Sequence, residues 1–420
     1  MTFTAVSQAD RLLAALRAAL DDRFDVVAAD VASQNRSTVT RVNVLDRRQK
    51  TVARLRLTTP GVLRGAWEGE FEARHARLEL TLMRGYQTEY DRVQRLLVAA
   101  GFNLAGASAA VDVPMHAYEH ADVVVQRVLR RLLDVQDVNL PGALADLDSE
   151  FLHDLRVSIR RTRSVQRELG RVFLPADLAP MRSGFRWLQS VTGPVRDLDV
   201  YAAEFPQMGG VIPAQMRNGL EQLLLSLNAR RDAARLKMER ELVSQRARTL
   251  RLEWEGVLER LVDADAAQRP DAHRQIGELT GERVRRVYRR MVKMGERIDA
   301  DSSPETYHEL RKRGKELRYL LELFAGQLFD PEVVRPLLRA LKGLQDVLGR
   351  HQDREVQVAM LTDFAREIST RPDAAGTLLA IGALIGRLQA DAASARLRFA
   401  ESFTQFSSTR QRAVMRGTFG

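Results

Sequence analysis

The hydrophobic rhythm of the chain changes near residue 110. Before that point, "TVTRVNVL" (38–45), "KTVARLRL" (50–57) and "RLELTLM" (77–83) alternate or cluster β-branched and apolar residues over strand lengths. "LDRRQK", between the first two, has the polarity of a turn. A helix is predicted over 87–101, where apolar residues recur at helical spacing up to a glycine stop. Residues 1–110 therefore read as a small α+β unit, and "GASAAVDVP" (106–114) as a linker of small residues closed by proline.

From about residue 115 the strand signal disappears and apolar residues recur at i, i+3, i+4 and i+7. Eight helical segments are predicted, over 116–138, 150–171, 178–206, 212–262, 277–299, 304–326, 332–370 and 374–405. Short Pro/Gly/Asp stretches such as "FLPADLAP", "DAAQRPDA" and "STRPDAAG" separate them. An internal repeat organises these helices. "FLHDLRVSIRRTRSVQREL" (151–169) aligns with "TYHELRKRGKELRYLLELF" (306–324) at an offset of 155. "LQSVTGPVRDLDV" (188–200) aligns with "LQDVLGRHQDREV" (344–356) at 156, and "QRVLRR" (126–131) resembles "RRVYRR" (285–290). Collinear matches at nearly constant offset predict a tandem four-helix unit with pseudo-twofold symmetry. The fold class expected is mainly α: two pseudo-symmetric four-helix bundles, residues 115–265 and 275–405, preceded by the α+β unit and followed by a tail over 406–420.

Charge sharpens this picture. The 420 residues carry a formal net charge of +10, which favours polyanionic partners without choosing among them. On one helix His153, Arg156, Arg160, Arg163 and Arg167 fall within a sector of roughly 80°. His308, Arg311, Lys315 and Arg318 repeat the spacing. A single arginine-rich face is ordinarily a solvated surface, but its recurrence with the same histidine points to function. Guanidinium groups bind phosphate oxygens bidentately, and a histidine can donate to the same anion. Further basic positions recur at Arg127, Arg130 and Arg131 and at Arg286, Arg289 and Arg290. Asp197, Asp199 and Asp353 read either as metal ligands or as partners that orient arginines, and Gly193 and Gly349 as sites of close helix approach or a kink. His75, His116, His120, His273 and His351 form no metalloprotease pattern.

The chain contains no cysteine, which removes disulfides and thiolate chemistry and fits a reducing compartment. Its N-terminal stretch lacks the form of a signal peptide, and its longest charge-free stretch, 374–386, is shorter than a bilayer span. The expectation is a cytoplasmic protein that does not enter a membrane.

"HDLR" and "HELR" also resemble the phosphoacceptor box of sensor histidine kinases, but neither the proline that follows that box nor an ATP-binding domain is found here. The combination of "HDLRVSIRRTR", "FRWLQSVTGPVRDLDV", "YHELRKRGKELRYLLELF" and "LKGLQDVLGRHQD" resembles the CHAD domain, the conserved histidine α-helical domain, over about 115–405. That resemblance implies a basic groove between two helical repeats, inorganic polyphosphate as partner and association with polyphosphate granules. Carried over by position, it nominates His153, Arg156, Arg160, Arg161, Arg163 and Arg196 in the first half. In the second half it nominates His308, Arg311, Lys312, Lys315, Arg318 and Arg350. Where the first half has Arg161 the second has Glu316. "RVNVLDRRQKTVARLRL" and "RLELTLMRGYQTEYDRVQRLL" are similar to the later part of a CYTH domain, truncated or degenerate here, since no E-x-E-x-K motif stands near the N-terminus.

The function expected is non-enzymatic polyphosphate binding, with neither cofactor nor metal. The alternatives are nucleic-acid binding through the same basic surface, and a metal-dependent polyphosphate or triphosphate phosphohydrolase resting on Asp197, Asp199 and Asp353. Aromatics make up only 6% of the chain and Tyr319 is the one nearest the stripes, which disfavours base stacking. Oligomeric state is not encoded in any of these patterns.

Overall fold

A computed structural model describes residues 24–34, 37–60, 77–82, 113–146, 149–209, 219–299, 301–372 and 374–419, with isolated positions between 17 and 96. By contact the chain divides into two compact units, Met1–Ala110 with Leu133–Ser158, and Val111–Leu132 with Ile159–Gly420. The described residues are mainly helical.

In the first unit, β1 (Phe24–Gln34), β2 (Ser37–Asp46), β3 (Thr51–Pro60) and β4 (Arg77–Leu82) form an antiparallel sheet in the order of the chain. The β2–β3 turn follows from Asp46, whose Oδ1 accepts from the backbone N–H groups of Arg48 and Lys50, both at 2.9 Å. Strand β1 was not predicted. Its register slips between Ala28 and Asp30, and such a bulge breaks the two-residue alternation by which strands are read. At the described positions of the predicted 87–101 helix (88, 89, 92, 93, 95 and 96) the chain is helical, whereas most of the predicted 106–114 linker lies outside the described residues.

The helices are α1 (Ala121–Leu144), α2 (Ser149–Glu168), α3 (Pro175–Gly209), α4 (Gly219–Leu242), α5 (Gln245–Arg260), α6 (Ile276–Gly295), α7 (Pro304–Leu320), α8 (Pro331–Ile368), α9 (Ala375–Phe406) and α10 (Thr409–Thr418). Four long helices, α1–α4, occupy the first repeat and four, α6–α9, the second. The predicted 212–262 helix is two helices, because Ser244 leaves helical geometry (φ −67°, ψ 159°) and its hydroxyl caps α5 by accepting from Ala247 N–H. The 406–420 segment, expected as a tail, carries α10 with Met415 and Phe419 buried.

Within the second unit α7 packs on α6 and α8, and α8 on α9, while α4 lies against both α3 and α9. Leu220, Leu223 and Leu227 from α4 meet Leu361, Phe364 and Ile368 from α8 and Ala380, Ile381, Leu384 and Leu388 from α9 in one apolar cluster. Helix α9 is the one described helix long and apolar enough, by length and composition, to cross a membrane. The charge-free run alone concealed this, because the qualifying window extends beyond it. Glycine is required where helices touch closely: a Cβ at Gly184 of α3 would collide with Leu250 of α5, and one at Gly295 with Phe403.

The loop before α6 is fastened by a buried ionic lock. Arg269 has no exposed side-chain surface, and its guanidinium donates to Asp122 Oδ2 at 3.2 Å and to the carbonyls of Leu261 at 2.6 Å and Asp265 at 3.1 Å. Beside it the buried carboxylate of Asp271 accepts from Arg283 at 2.8 Å. A buried charge is tolerated only when paired and hydrogen-bonded, as these are.

Candidate anion-binding pocket

The second stripe rises along α7. With the facing turns of α8 it encloses a pocket of about 440 Å³ lined by Arg311, Lys315, Arg318, Arg350 and Arg354, and by the carboxylates of Glu204, Asp346 and Asp353. The spacing Arg311, Lys315, Arg318 (i, i+4, i+7) holds three cations on one side, and Arg350 and Arg354, also i,i+4, supply two from the other.

Three of these five cations are answered within the protein. Arg311 Nη2 lies 3.3 Å from Asp353 Oδ1. Arg318 Nη1 donates to Gln345 Oε1 at 3.1 Å, and its Nε lies 3.3 Å from Glu322 Oε1. Arg354 Nη1 donates to Glu204 Oε2 at 2.9 Å. Lys315 and Arg350 have no carboxylate within ion-pair distance among the described residues. The ammonium of Lys315 is pushed down to about 7, first by burial and then by Arg311, Arg160 and Arg318, with Asp353 partly opposing. Arg160, whose Nε is buried without a hydrogen-bond partner, thus brings the first-half stripe next to Lys315. Burial and like charge both disfavour the charged form of this lysine, and a nearby negative charge would favour it.

The two stripes are tied by a pair of reciprocal ion pairs. Arg161 Nη2 lies 3.0 Å from Glu322 Oε2, and Arg167 Nη2 lies 3.0 Å from Glu316 Oε1. Positions 161 and 316 are equivalent in the repeat, as are 167 and 322, so the second pair is the first with its charges exchanged. Leu321–Ala325 forms a π turn continuing α7, and Glu322 within it serves both Arg161 and Arg318. A second correspondence keeps its sense: Arg163 donates to Gln189 Oε1 as Arg318 does to Gln345 Oε1.

The remaining nominated residues are placed as follows. Arg163 is half-buried, and burial together with Arg167 and Arg186 holds its pKa below the ordinary arginine value. Arg161 is buried in its ion pair. His153 and Arg156 lie in the first unit, His153 half-buried and Arg156 buried on α2. His308 is held through Nδ1 by Gln352 Oε1 at 2.8 Å, Lys312 is exposed and paired with Glu309 at 2.6 Å, and neither lines the pocket. Arg196 is half-buried on α3 outside the lining. Arg127 pairs with Glu119 and Arg286 with Glu282, while Arg130, Arg131, Arg289 and Arg290 are exposed. Asp199 pairs with Arg231 at 2.6 Å and Asp353 with Arg311, the arginine-orienting role of the two weighed for them. A Cβ at Gly349 would stand 3.9 Å from the Arg311 guanidinium, so this glycine leaves room at the pocket wall rather than relieving a clash.

Arg354, Glu204, Gln345 and Asp346 were not foreseen. Arg354 stands one turn after Arg350 and could have been found by that spacing. Comparison of the halves hid it, because its first-half equivalent is Leu198.

A family model described as the CHAD domain matches residues 127–362. The chain is 26% identical over 262 residues to an uncharacterized protein of Mycobacterium tuberculosis (strain CDC 1551 / Oshkosh), covering 60% of this chain and 47% of that protein. It therefore spans about half the length of this curated relative. Its fold is similar to the crystal structure of the CHAD domain from the plant Ricinus communis, with a TM-score of 0.57 and 25% identity over 72% of this chain and 94% of that one. PptA from Streptomyces chartreusis aligns with a TM-score of 0.49 at 16% identity, over 68% of this chain and 99% of that chain.

Proposed function

The chain belongs to the CHAD domain family, and from that premise we propose that it binds inorganic polyphosphate, without turnover, in the pocket between α7 and α8. The observation that carries this reading is the pairing census of the pocket. Five cations converge there, two of them without a carboxylate partner among the described residues, and one is a lysine whose pKa burial and then its cationic neighbours push down to about 7. A phosphate chain answers that arrangement better than a single small anion, since Arg311, Lys315, Arg318 and Arg350 follow one another along two helices and can each take a successive phosphate. The same reading places the protein in the cytoplasm, associated with polyphosphate granules. On the same reading the β1–β4 meander is a truncated or degenerate relative of the CYTH tunnel fold.

Binding of long-chain polyphosphate at rising salt tests the proposal, with Arg156, Arg160, Arg311 and Lys315 all reversed to Glu. Multidentate phosphate contacts release counterions, so wild-type affinity should fall steeply with salt, and the variant should bind weakly with a shallower slope. Equal binding by the folded variant overturns the reading. Competition by RNA of matched charge separates it from nucleic-acid binding: effective displacement at equal phosphate concentration would favour RNA.

A further inference from the structure

Helix α10 lies beyond the stretch matched by the family, yet it is firmly seated. Phe419 packs on Phe329 with ring centroids 4.7 Å apart, and Met415 is buried. At its other end Arg412 Nη2 reaches Glu296 Oε1 at 2.8 Å and Arg412 Nε donates to the carbonyl of Ser407 at 2.7 Å. Between α10 and α6 this leaves a cleft of about 250 Å³. Arg285, Arg289 and Lys293 run along its α6 side at i, i+4 and i+8, and Arg412 and Arg416 face them from α10.

The charge balance of this cleft is lopsided. Glu296 is its one lining carboxylate and is already engaged by Arg412. Arg285, Arg289, Lys293 and Arg416 have no acidic partner within ion-pair distance among the described residues. The Tyr288 hydroxyl donates its proton to the carbonyl of Phe406 at 3.0 Å, and as a neutral group it brings no negative charge to the cleft. Like charges one turn apart repel, and here three stand in file while a second helix brings two more against them. We propose that this cleft is a second anion site, which takes a phosphate-class oxyanion between α6 and α10 and so clamps the terminal helix. Guanidinium groups from two sides can each present paired N–H donors to such an ion, and Val292 and Met415 give the cleft a dry floor that strengthens the attraction. The site does not depend on the α7–α8 pocket: a free inorganic phosphate or one phosphate of a longer chain would satisfy it equally.

Hydrogen exchange on the full chain tests the clamp. Amides of 409–418 should exchange at least about fivefold more slowly with saturating tripolyphosphate than with sodium chloride of equal ionic strength, a change of about 1 kcal/mol in local opening. The protection should vanish in Arg289→Glu/Arg416→Glu, whose exposed side chains can be reversed without disturbing the core, and shrink in Arg289→Gln/Arg416→Gln. It should persist in Arg311→Glu/Lys315→Glu, which separates this site from the pocket. Protection by orthophosphate as well identifies a free-ion site, and protection by tripolyphosphate alone identifies a chain segment; both uphold the cleft. Equal exchange in tripolyphosphate and chloride, or protection that survives Arg289→Glu/Arg416→Glu, overturns it whatever the pocket binds.

Discussion

Around Arg269 a guanidinium with no exposed surface finds a carboxylate and four carbonyls, those of Val172, Leu261, Ala264 and Asp265, within hydrogen-bond reach. Around Lys315 the charged groups that act on its ammonium are three arginines and one aspartate. Both regions are rich in arginine, and arginine density alone would rank them alike. The difference lies in who answers the charge. In the lock before α6 the protein does so itself, and the result is structure. In the pocket between α7 and α8 it leaves Lys315 and Arg350 without a carboxylate partner among the described residues, and on the proposed reading an anion supplies the negative charge. The same contrast divides the stripe helices internally, where Arg161 and Arg167 are paired and Arg160 and Lys315 are not.

The largest effect is expected where the charge is already satisfied. Arg269→Ala strands Asp122 in a buried position, and breaking such a pair from one side costs about 3–5 kcal/mol. Denaturant unfolding should show this loss, while polyphosphate affinity per folded molecule stays at the wild-type value. Loss of binding in a fully folded Arg269→Ala chain would erase the distinction between the two regions.

Next in size is the pocket itself. Lys315→Glu with Arg350→Glu should weaken long-chain polyphosphate by about 30-fold or more, each reversed cation removing a phosphate contact and adding a repulsive one. The thermal midpoint should stay level or rise, because the reversal relieves like-charge repulsion. A large fall in stability would place these two cations among the structural arginines instead.

A smaller effect follows from titration. Lys315 faces Arg311 and Arg318 on its own helix, Arg160 from α2 and Asp353 from α8, and its pKa of about 7 lies below the ordinary 10.5. A bound polyanion favours the charged form, so binding takes up a proton near pH 7.5, and affinity should rise by up to about tenfold from pH 8 to pH 6. Lys315→Arg should flatten that slope, since guanidinium does not titrate there, whereas unchanged pH dependence in Lys315→Arg would move the titrating group to a histidine. The sign for stability is opposite. The unfolded chain holds this proton up to about pH 10.5 and the folded chain releases it above about 7, so this lysine's contribution to stability rises with pH between those values.

What could be read in the sequence, and what could not, follows the same line. The stripe was legible because helical spacing places residues on a face regardless of context, and the repeat was legible because both halves keep the same offset. Pairing was not legible. Nothing local distinguishes Arg161, answered by Glu322 from a π turn 161 residues away, from Arg160 beside it. Arg354 escaped because repeat logic rewards sameness, and the pocket draws on a cation that the first half replaces with Leu198. Strand β1 escaped because a bulge breaks alternation, and the α4–α5 break because a single serine cap weighs little against a long apolar period.

The smallest expected effect tests the two halves against each other. The ion pairs Arg161–Glu322 and Arg167–Glu316 occupy equivalent positions with exchanged signs, and each has one buried member, Arg161 at 7% and Glu316 at 4% side-chain exposure. Arg161→Glu with Glu322→Arg would give the first pair the polarity of the second. Each single reversal sets like charges side by side and should destabilise the fold. The double reversal should recover about half of the summed loss, a coupling of about 1 kcal/mol measurable by a double-mutant cycle. Full recovery is not expected, because Glu322 also neighbours Arg318 at 3.3 Å, and an arginine at 322 would repel it. Glu316 keeps Arg313 at 2.7 Å when Arg167 is neutralised, whereas Glu322→Gln takes a carboxylate from both Arg161 and Arg318, so Arg167→Gln should cost less than Glu322→Gln. If the two single losses are equal and the double reversal recovers nothing, the exchanged pairs are incidental contacts rather than the joint that aligns the two stripes.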